Sequence, residues 1–215
     1  MRDRKGVFLV FEGPEGAGKT TIAELAEKEL KRRGVSVLRV REPGGTAVGE
    51  AIRAILLDKS FTMPPETEFF LFQASRAAFI QQLVRPALED GTVVVADRFD
   101  LSTMAYQIAG RGLPERVSRE AIDMAIGGEH PDGYVILTVD PDIGRRRQQK
   151  QGKKPDRIES EARRFHRRVL HGYRRFGQLL PGAHVIDTSE MTVEQVLAEV
   201  MAHLDEEFGE LVGAA

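Results

Sequence analysis

No cysteine occurs among the 215 residues. Disulfides, thiolate metal sites, iron–sulfur clusters and cysteine nucleophiles are thereby excluded, and a reducing interior is a natural setting. Long apolar runs are missing as well. The longest near the start, Val7 to Phe11, is too short for a signal segment or a membrane span, and Glu12 ends it. The five histidines have neither metal-ligand spacing nor an H-E-x-x-H pattern, so they read as structural. No internal repeat or low-complexity tract is found. The expectation is a cytoplasmic protein with no membrane partner.

What is present is ordinary for a globular chain. With 41% apolar and 30% charged residues, disorder and fibre are excluded, and residues 1–215 are expected to form a single domain with a full core. The net charge of −2 hides an asymmetry. Gly144 to Arg175 holds thirteen Lys or Arg against three Asp or Glu, a local charge of +10, which leaves −12 for the remainder. A nucleic-acid binder would be more evenly basic and would interleave stacking aromatics with its arginines. A basic segment on an acidic body fits a local anionic ligand, so no nucleic-acid partner is expected.

Short β-prone apolar runs alternate with helical patterns. Strands are predicted at Val7–Phe11, Val35–Val40, Thr92–Ala96, Tyr134–Val139 and His184–Ile186. Helices are predicted at about Lys19–Arg33, Gly49–Leu57, Pro65–Glu89, Ser118–Ile126, Arg157–Leu180 and Thr192–Phe208. The first strand is apolar on both faces, as in a buried parallel sheet. The fold class is therefore α/β: a five-stranded parallel sheet flanked by helices. Ligands bind such sheets beyond the carboxyl ends of the strands. The unusual residues collect there, at Gly13–Thr20, Arg41–Thr46, Asp97-Arg98 and Asp187–Ser189.

Gly13-Pro14-Glu15-Gly16-Ala17-Gly18-Lys19-Thr20 matches G-x-x-x-x-G-K-[ST], between a strand and a helix as the motif requires. Its backbone N–H groups and the following helix N-terminus form a phosphate cradle, which Thr21 extends. Lys19 is placed to reach the β- and γ-phosphates of a nucleoside triphosphate, and the Thr20 hydroxyl to bind Mg²⁺. ATP is the expected donor: the N-K-x-D signature of a GTPase is absent, and a motor would carry more chain. Asp97, at the end of the third strand, stands where a second carboxylate near Mg²⁺ is expected. Arg98 puts a fixed cation beside the cradle, suiting an acceptor that is itself a phosphate.

Arg41-Glu42-Pro43-Gly44-Gly45-Thr46 follows the second strand. Asp97-Arg98-Phe99-Asp100-Leu101-Ser102-Thr103-Met104-Ala105-Tyr106-Gln107 follows the third. With the cradle, these resemble the signatures of bacterial thymidylate kinases, and the resemblance runs from about Gly6 to about Thr188. It implies a P-loop nucleoside monophosphate kinase architecture, transfer of the γ-phosphoryl group of ATP to dTMP, a homodimer, and a role in dTTP synthesis. It also implies an acceptor site formed by Glu15, Arg41, Pro43, Arg53, Phe72, Arg76, Arg98, Ser102, Thr103, Tyr106 and Gln107. In that site Arg98 grips the dTMP phosphate, Phe72 stacks on thymine, Arg76 bonds its carbonyl edge, and Tyr106 and Gln107 lie against sugar and base. Ser102 and Thr103 offer further hydroxyls to the base, and Glu15 holds the sugar 3′-hydroxyl. By periodicity alone Phe72 is a core residue, and Glu15 an exposed loop residue.

Residues of about 144–158 resemble the family's basic lid, including Asp156-Arg157-Ile158-Glu159. Some relatives carry an Arg in the phosphate loop where this chain has Gly16, and many carry a lid Arg where it has Gln151. The missing cation then falls to Arg147, Lys150 or Lys153. Downstream, Ile158, Phe165, Val169, Tyr173 and Phe176 recur at helical spacing and are expected to dock one face of a helix.

Overall fold

The computed structural model describes residues 5–150, 152 and 155–209 of the chain. Its strands are β1 (Phe8–Glu12), β2 (Val37–Arg41), β3 (Val93–Asp97), β4 (Gly133–Thr138) and β5 (Ala183–Asp187). All pair in parallel, in the order β2-β3-β1-β4-β5. Phe11 lies beside Asp97 and Arg41 also pairs with Asp97, so β1, β2 and β3 end close together. The chain moves from β1 out to β2, returns to β3, and crosses β1 to reach β4. At such a reversal of strand order a crevice opens beyond the strand ends.

The helices are α1 (Lys19–Arg32), α2 (Ala47–Leu57), α3 (Pro65–Phe79), α4 (Arg85–Glu89), α5 (Asp100–Thr103), α6 (Glu115–Ile126), α7 (Pro141–Lys150), α8 (Arg163–Gly177) and α9 (Val193–Phe208). Alternation along the strands divides the core in two. Phe8, Val10, Val94, Ala96, Tyr134 and Ile136 meet Phe79, Ile80, Leu88, Ile122, Val169 and Phe176 from one layer of helices. Leu9, Phe11, Val95, Val135 and Leu137 meet Ile22, Ala26, Leu30, Val196, Val200 and Leu204 from α1 and α9. Ile158, Phe165, Val169, Tyr173 and Phe176 are all buried, as their spacing predicts.

Three helical expectations need correction. The predicted helix Pro65–Glu89 is interrupted by a π turn over Ile80–Val84, between α3 and α4. Pro86 accounts for it: proline has no N–H for the carbonyl four residues back, its ring crowds that carbonyl, and the wider turn relieves both. The predicted helix from Arg157 begins only at Arg163. Before it, Asp156 Oδ1 accepts from the N–H groups of Ile158 and Glu159 at 2.9 and 2.8 Å, and holds a local turn instead. Asp100–Gly110 was not expected to be helical, yet α5 runs directly into a second π turn over Met104–Gly110. It shows no one-sided stripe because Met104, Ala105, Tyr106, Gln107 and Ile108 are all buried.

That segment is clamped by α8 through a close backbone approach. A Cβ on Gly172 would stand 2.8 Å from Ala109 Cβ and 2.9 Å from Ala105 Cα. Gly172→Val is therefore expected to push α8 away from the second π turn and cost about 1–3 kcal/mol. Chemical denaturation should show a lower midpoint with an unchanged slope, and Tyr173 should be displaced from the network described next.

Candidate active site

A cavity of about 1820 Å³ opens at the carboxyl ends of the strands. Residues 14–21 line its floor. Gly13, Gly16 and Gly18 all take positive φ, at 138°, 77° and 99°, so the loop wraps on itself before α1 starts. Gly18 stands at the N-cap of α1 and no side chain caps it, which leaves the first-turn amides for an anion. Lys19 folds back to donate to the Pro14 carbonyl at 2.7 Å. Burial and the adjacent Arg98 guanidinium lower its ammonium to about 8, against the attraction of Asp97, Glu15 and Glu12. Thr20 donates its hydroxyl to Asp97 Oδ2 at 2.5 Å, while Oδ1 of this buried carboxylate has no partner among the described residues.

Arg98 is the one non-glycine residue with positive φ among the described residues, at 73°. Its N–H donates to the Phe11 carbonyl at 2.9 Å, which turns the side chain across the cradle. Nη1 donates to Gly13 O at 3.1 Å, Ser102 Oγ at 3.1 Å and the Tyr173 hydroxyl at 2.9 Å; Nη2 donates to Glu15 Oε1 at 3.3 Å. The guanidinium also stands over the Tyr106 ring, 5.4 Å from its centroid. Glu15 accepts a second bond from the Tyr106 hydroxyl. Burial opposes its ionisation, but Arg98, Lys19 and that hydroxyl outweigh it and hold the carboxyl below the usual range.

On the far wall, Arg76 is 1% exposed. Nε and Nη2 donate to Glu42 Oε2 at 2.9 and 2.7 Å, Nη1 to Gln73 at 3.1 Å and Nη2 to the Phe99 carbonyl at 2.9 Å. One Nη1–H is left for anything else. Burial raises Glu42 to about 7 despite Arg76, and its Oε1 has no partner among the described residues. Phe72 is half-buried and lines the cavity, between buried Phe69 and exposed Phe70. Arg53 donates to the Pro43 carbonyl at 3.0 Å, and Arg41 is paired with Glu50. Thr103, Tyr106 and Gln107 lie on the same wall.

The cavity thus gathers the predicted residues except Gly13 and Lys153, and two of those it gathers, Ser102 and Arg147, are already engaged. Gly13 lies behind the lining. Lys153 falls outside the described residues. The Ser102 hydroxyl does not stand free for a base: it donates to Glu12 Oε2 at 2.6 Å and accepts from Arg98. Arg147 is no free lid cation. Its two Nη atoms donate to Thr188 Oγ1 and O at 3.1 and 2.7 Å, and to the carbonyls of Gly16 and Ser189, fastening α7 to the cradle. Lys150 is exposed and lines the cavity. A Cβ on Gly16 would stand 2.3 Å from Gly144 O, so the loop has no room for a larger residue while α7 sits there.

Two site residues escaped the sequence reading. Glu12, wholly buried, accepts from Phe99 N, Ser102 N, Ser102 Oγ and the Tyr173 hydroxyl. A carboxylate closing a strand that is apolar on both faces was the available signal. Tyr173 was assigned to core packing because its spacing is that of the apolar stripe, and its hydroxyl end is invisible to periodicity.

A phosphate-wrapping loop, a buried Lys beneath it and an Arg held opposite define a phosphotransferase of the P-loop kinase class. The family model for thymidylate kinase matches residues 11–200. A thymidylate kinase of Deinococcus radiodurans is 39% identical over 94% of this chain and 98% of its own length. That of Thermomicrobium roseum is 42% identical over 93% and 94%. The crystal structure of thymidylate kinase from Ehrlichia chaffeensis superposes with a TM-score of 0.74 at 30% identity, over 93% of this chain and 98% of that one. The chain belongs to the thymidylate kinase family. It is a nucleoside monophosphate kinase, and its reaction is the ATP-dependent phosphorylation of dTMP to dTDP.

The Lys19 shift makes a pH prediction. The free protein holds the ammonium charged below about 8 and loses it above. Affinity for ATP should be flat from pH 6.5 to 7.5, then fall by up to about tenfold per unit above 8, because binding must first restore the proton. Calorimetric titration at pH 7 and 9 measures this, and equal affinities would exclude Lys19 as the titrating group. Lys19→Arg should remove the dependence.

Proposed function

We propose that ATP occupies the cradle of residues 13–21 and dTMP the space bounded by Arg98, Phe72, Arg76, Tyr106 and Gln107. The observation that carries this reading is the position of Arg98. Its guanidinium is anchored on the cradle's own Gly13 carbonyl, yet it faces the acceptor wall through Glu15 and Tyr106. A cation held there meets the phosphate of a monophosphate acceptor in a charge-assisted, bidentate manner. An acceptor phosphate oxygen is already ionised at neutral pH, so no general base is needed. Lys19 stabilises charge on the transferring group, and Glu15, kept ionised, accepts from the sugar 3′-hydroxyl. Phe72 supplies an apolar face for the base, and the remaining Nη1–H of Arg76 suits a base carbonyl.

The donor set at Thr20 and Asp97 fits Mg²⁺, a hard cation that takes oxygen ligands. Asp97 Oδ1 is buried without a partner among the described residues, and an unpaired carboxylate oxygen is costly unless something occupies it. Thr20 and Asp97 would hold the ion, whose charge offsets that of the β- and γ-phosphates. The lid of about 144–158 would complete the site, with Lys150 and Lys153 as the cations that replace an Arg at position 16. A homodimer is supported by Phe70 on α3, 63% exposed, and Met124 on α6, 82% exposed, on two helices that pack together. A cytoplasmic setting agrees with the absence, among the described residues, of a helix able to cross a membrane.

The deciding experiment follows ADP release from ATP with dTMP, dUMP, UMP, dGMP or AMP added separately. dTMP should stimulate it most, with dTDP as product. Arg98→Ala should then weaken dTMP by about 1.5–3 kcal/mol while changing ATP little, since a charge-assisted bidentate contact is lost on one side only. Isothermal titration with each ligand separates the two, and equal losses would reject the acceptor-clamp role. Neutralising Lys150 and Lys153 together should lower kcat and leave dTMP affinity nearly unchanged, as for contacts made mainly in the transition state.

A further inference from the structure

Glu68, in the first turn of α3, is a further buried carboxylate, outside the roles assigned so far. It is 1% exposed and accepts four hydrogen bonds. Oε1 takes Gln107 Nε2 at 2.9 Å and Arg111 Nε at 3.0 Å; Oε2 takes Arg111 Nη2 at 2.8 Å and Arg157 Nη2 at 2.7 Å. Each arginine is held from behind. Arg111 also pairs with Glu161 at 2.5 Å and lies 4.5 Å over the Phe165 ring, and Arg157 donates to the Leu56 carbonyl at 2.8 Å.

An ionised carboxylate only accepts hydrogen bonds. The Gln107 amide therefore has one permitted orientation, with its NH₂ toward Glu68 and its carbonyl oxygen away. That oxygen accepts no hydrogen bond among the described residues and is not sealed off, and the space that Gln107 lines is the cavity. The amide thus offers the cavity an acceptor. Thymine and uracil carry an N–H at ring position 3, whereas cytosine carries a bare nitrogen there. A fixed acceptor favours the first two and leaves the third facing lone pair to lone pair, a mismatch that a buried site rejects strongly.

We propose that Glu68 is the positioning residue that sets base selectivity, by locking the Gln107 amide with its carbonyl oxygen toward the base. Arg111, which donates to both carboxylate oxygens, keeps Glu68 charged, hence acceptor-only. The proposal rests on the placement of dTMP against Gln107 given above.

The test compares kcat/KM for dTMP with that for dCMP. Glu68→Gln gives residue 68 both a donor and an acceptor, so the Gln107 amide is free to invert. The dTMP preference should fall by about ten- to a hundredfold, with the KM for ATP unchanged. Arg157→Gln loosens the same network but leaves the carboxylate in place, so it should lower the melting temperature and keep the wild-type preference. Should Glu68→Gln fail to fold, Glu68→Gln with Arg157→Gln removes one uncompensated charge and makes the same prediction, with folding checked by circular dichroism. Full dTMP preference in whichever folded Glu68 variant is measured overturns the proposal. Equal relaxation in Arg157→Gln also overturns it, because general loosening would then explain the effect. A wild-type protein that ignores dTMP would instead defeat the acceptor assignment itself.

Discussion

The site depends on one wholly buried carboxylate. Glu12 closes β1, and its two oxygens collect the N–H groups of Phe99 and Ser102 with the hydroxyls of Ser102 and Tyr173. These donors come from the exit of β3, from α5 and from α8. Without them the charge would be buried and unpaired, which costs several kcal/mol. With them, three elements distant in sequence must meet at the end of the central strand. The phosphate loop starts at the next residue, so the same constraint that assembles the fold fixes where the cradle begins.

Arg98 inherits its position from that junction. It lies one residue before Phe99, whose N–H is bonded to Glu12, and its guanidinium shares Ser102 and Tyr173 with Glu12. A long cationic side chain ordinarily loses considerable rotamer freedom when it grips a ligand. Here four protein acceptors hold it before any ligand arrives. Pre-organisation of this kind places binding energy in orientation, which phosphoryl transfer needs most. The nearby positive charge has a cost, visible in the lowered Lys19 ammonium. Two cations this close are tolerated because Glu15 and Asp97 stand beside them, and a polyanionic substrate would relieve the rest.

How much of this could be read from the residues follows from the range of each interaction. The five strands and the cradle depend on local pattern, and the sequence reading found them within a residue or two. Residues 100–110 were missed because burial on all sides removes the one-sided stripe that marks a helix. Pro86 sits inside a segment that otherwise reads as one helix, and a π turn has no periodicity of its own. Arg98 could be placed as a cation facing a phosphate acceptor from its position after the third strand, whereas the role proposed for Phe72 needed the family resemblance, since a phenylalanine among phenylalanines carries no signature alone. Arg147 shows the opposite limit. Its basic neighbourhood suggested a free cation, yet its partners Thr188 and Ser189 lie some forty residues away in sequence, and no spacing rule connects them.

Arg147 and Arg157 fasten the basic segment to the body of the protein at two points. On one side Arg147 ties α7 to Gly16 and Thr188, and on the other Arg157 ties the turn around Asp156 to Glu68 and Leu56. Gln148 donates to Glu159 at 3.2 Å and joins the two arms. The close contact of Gly16 with Gly144 sets the first arm directly on the phosphate loop. A chain with an Arg at position 16 could not keep that contact. Glycine at position 16 is therefore the condition for a backbone-to-backbone seat of α7 on the phosphate loop, which the Arg147 bonds to Gly16 and Thr188 then hold.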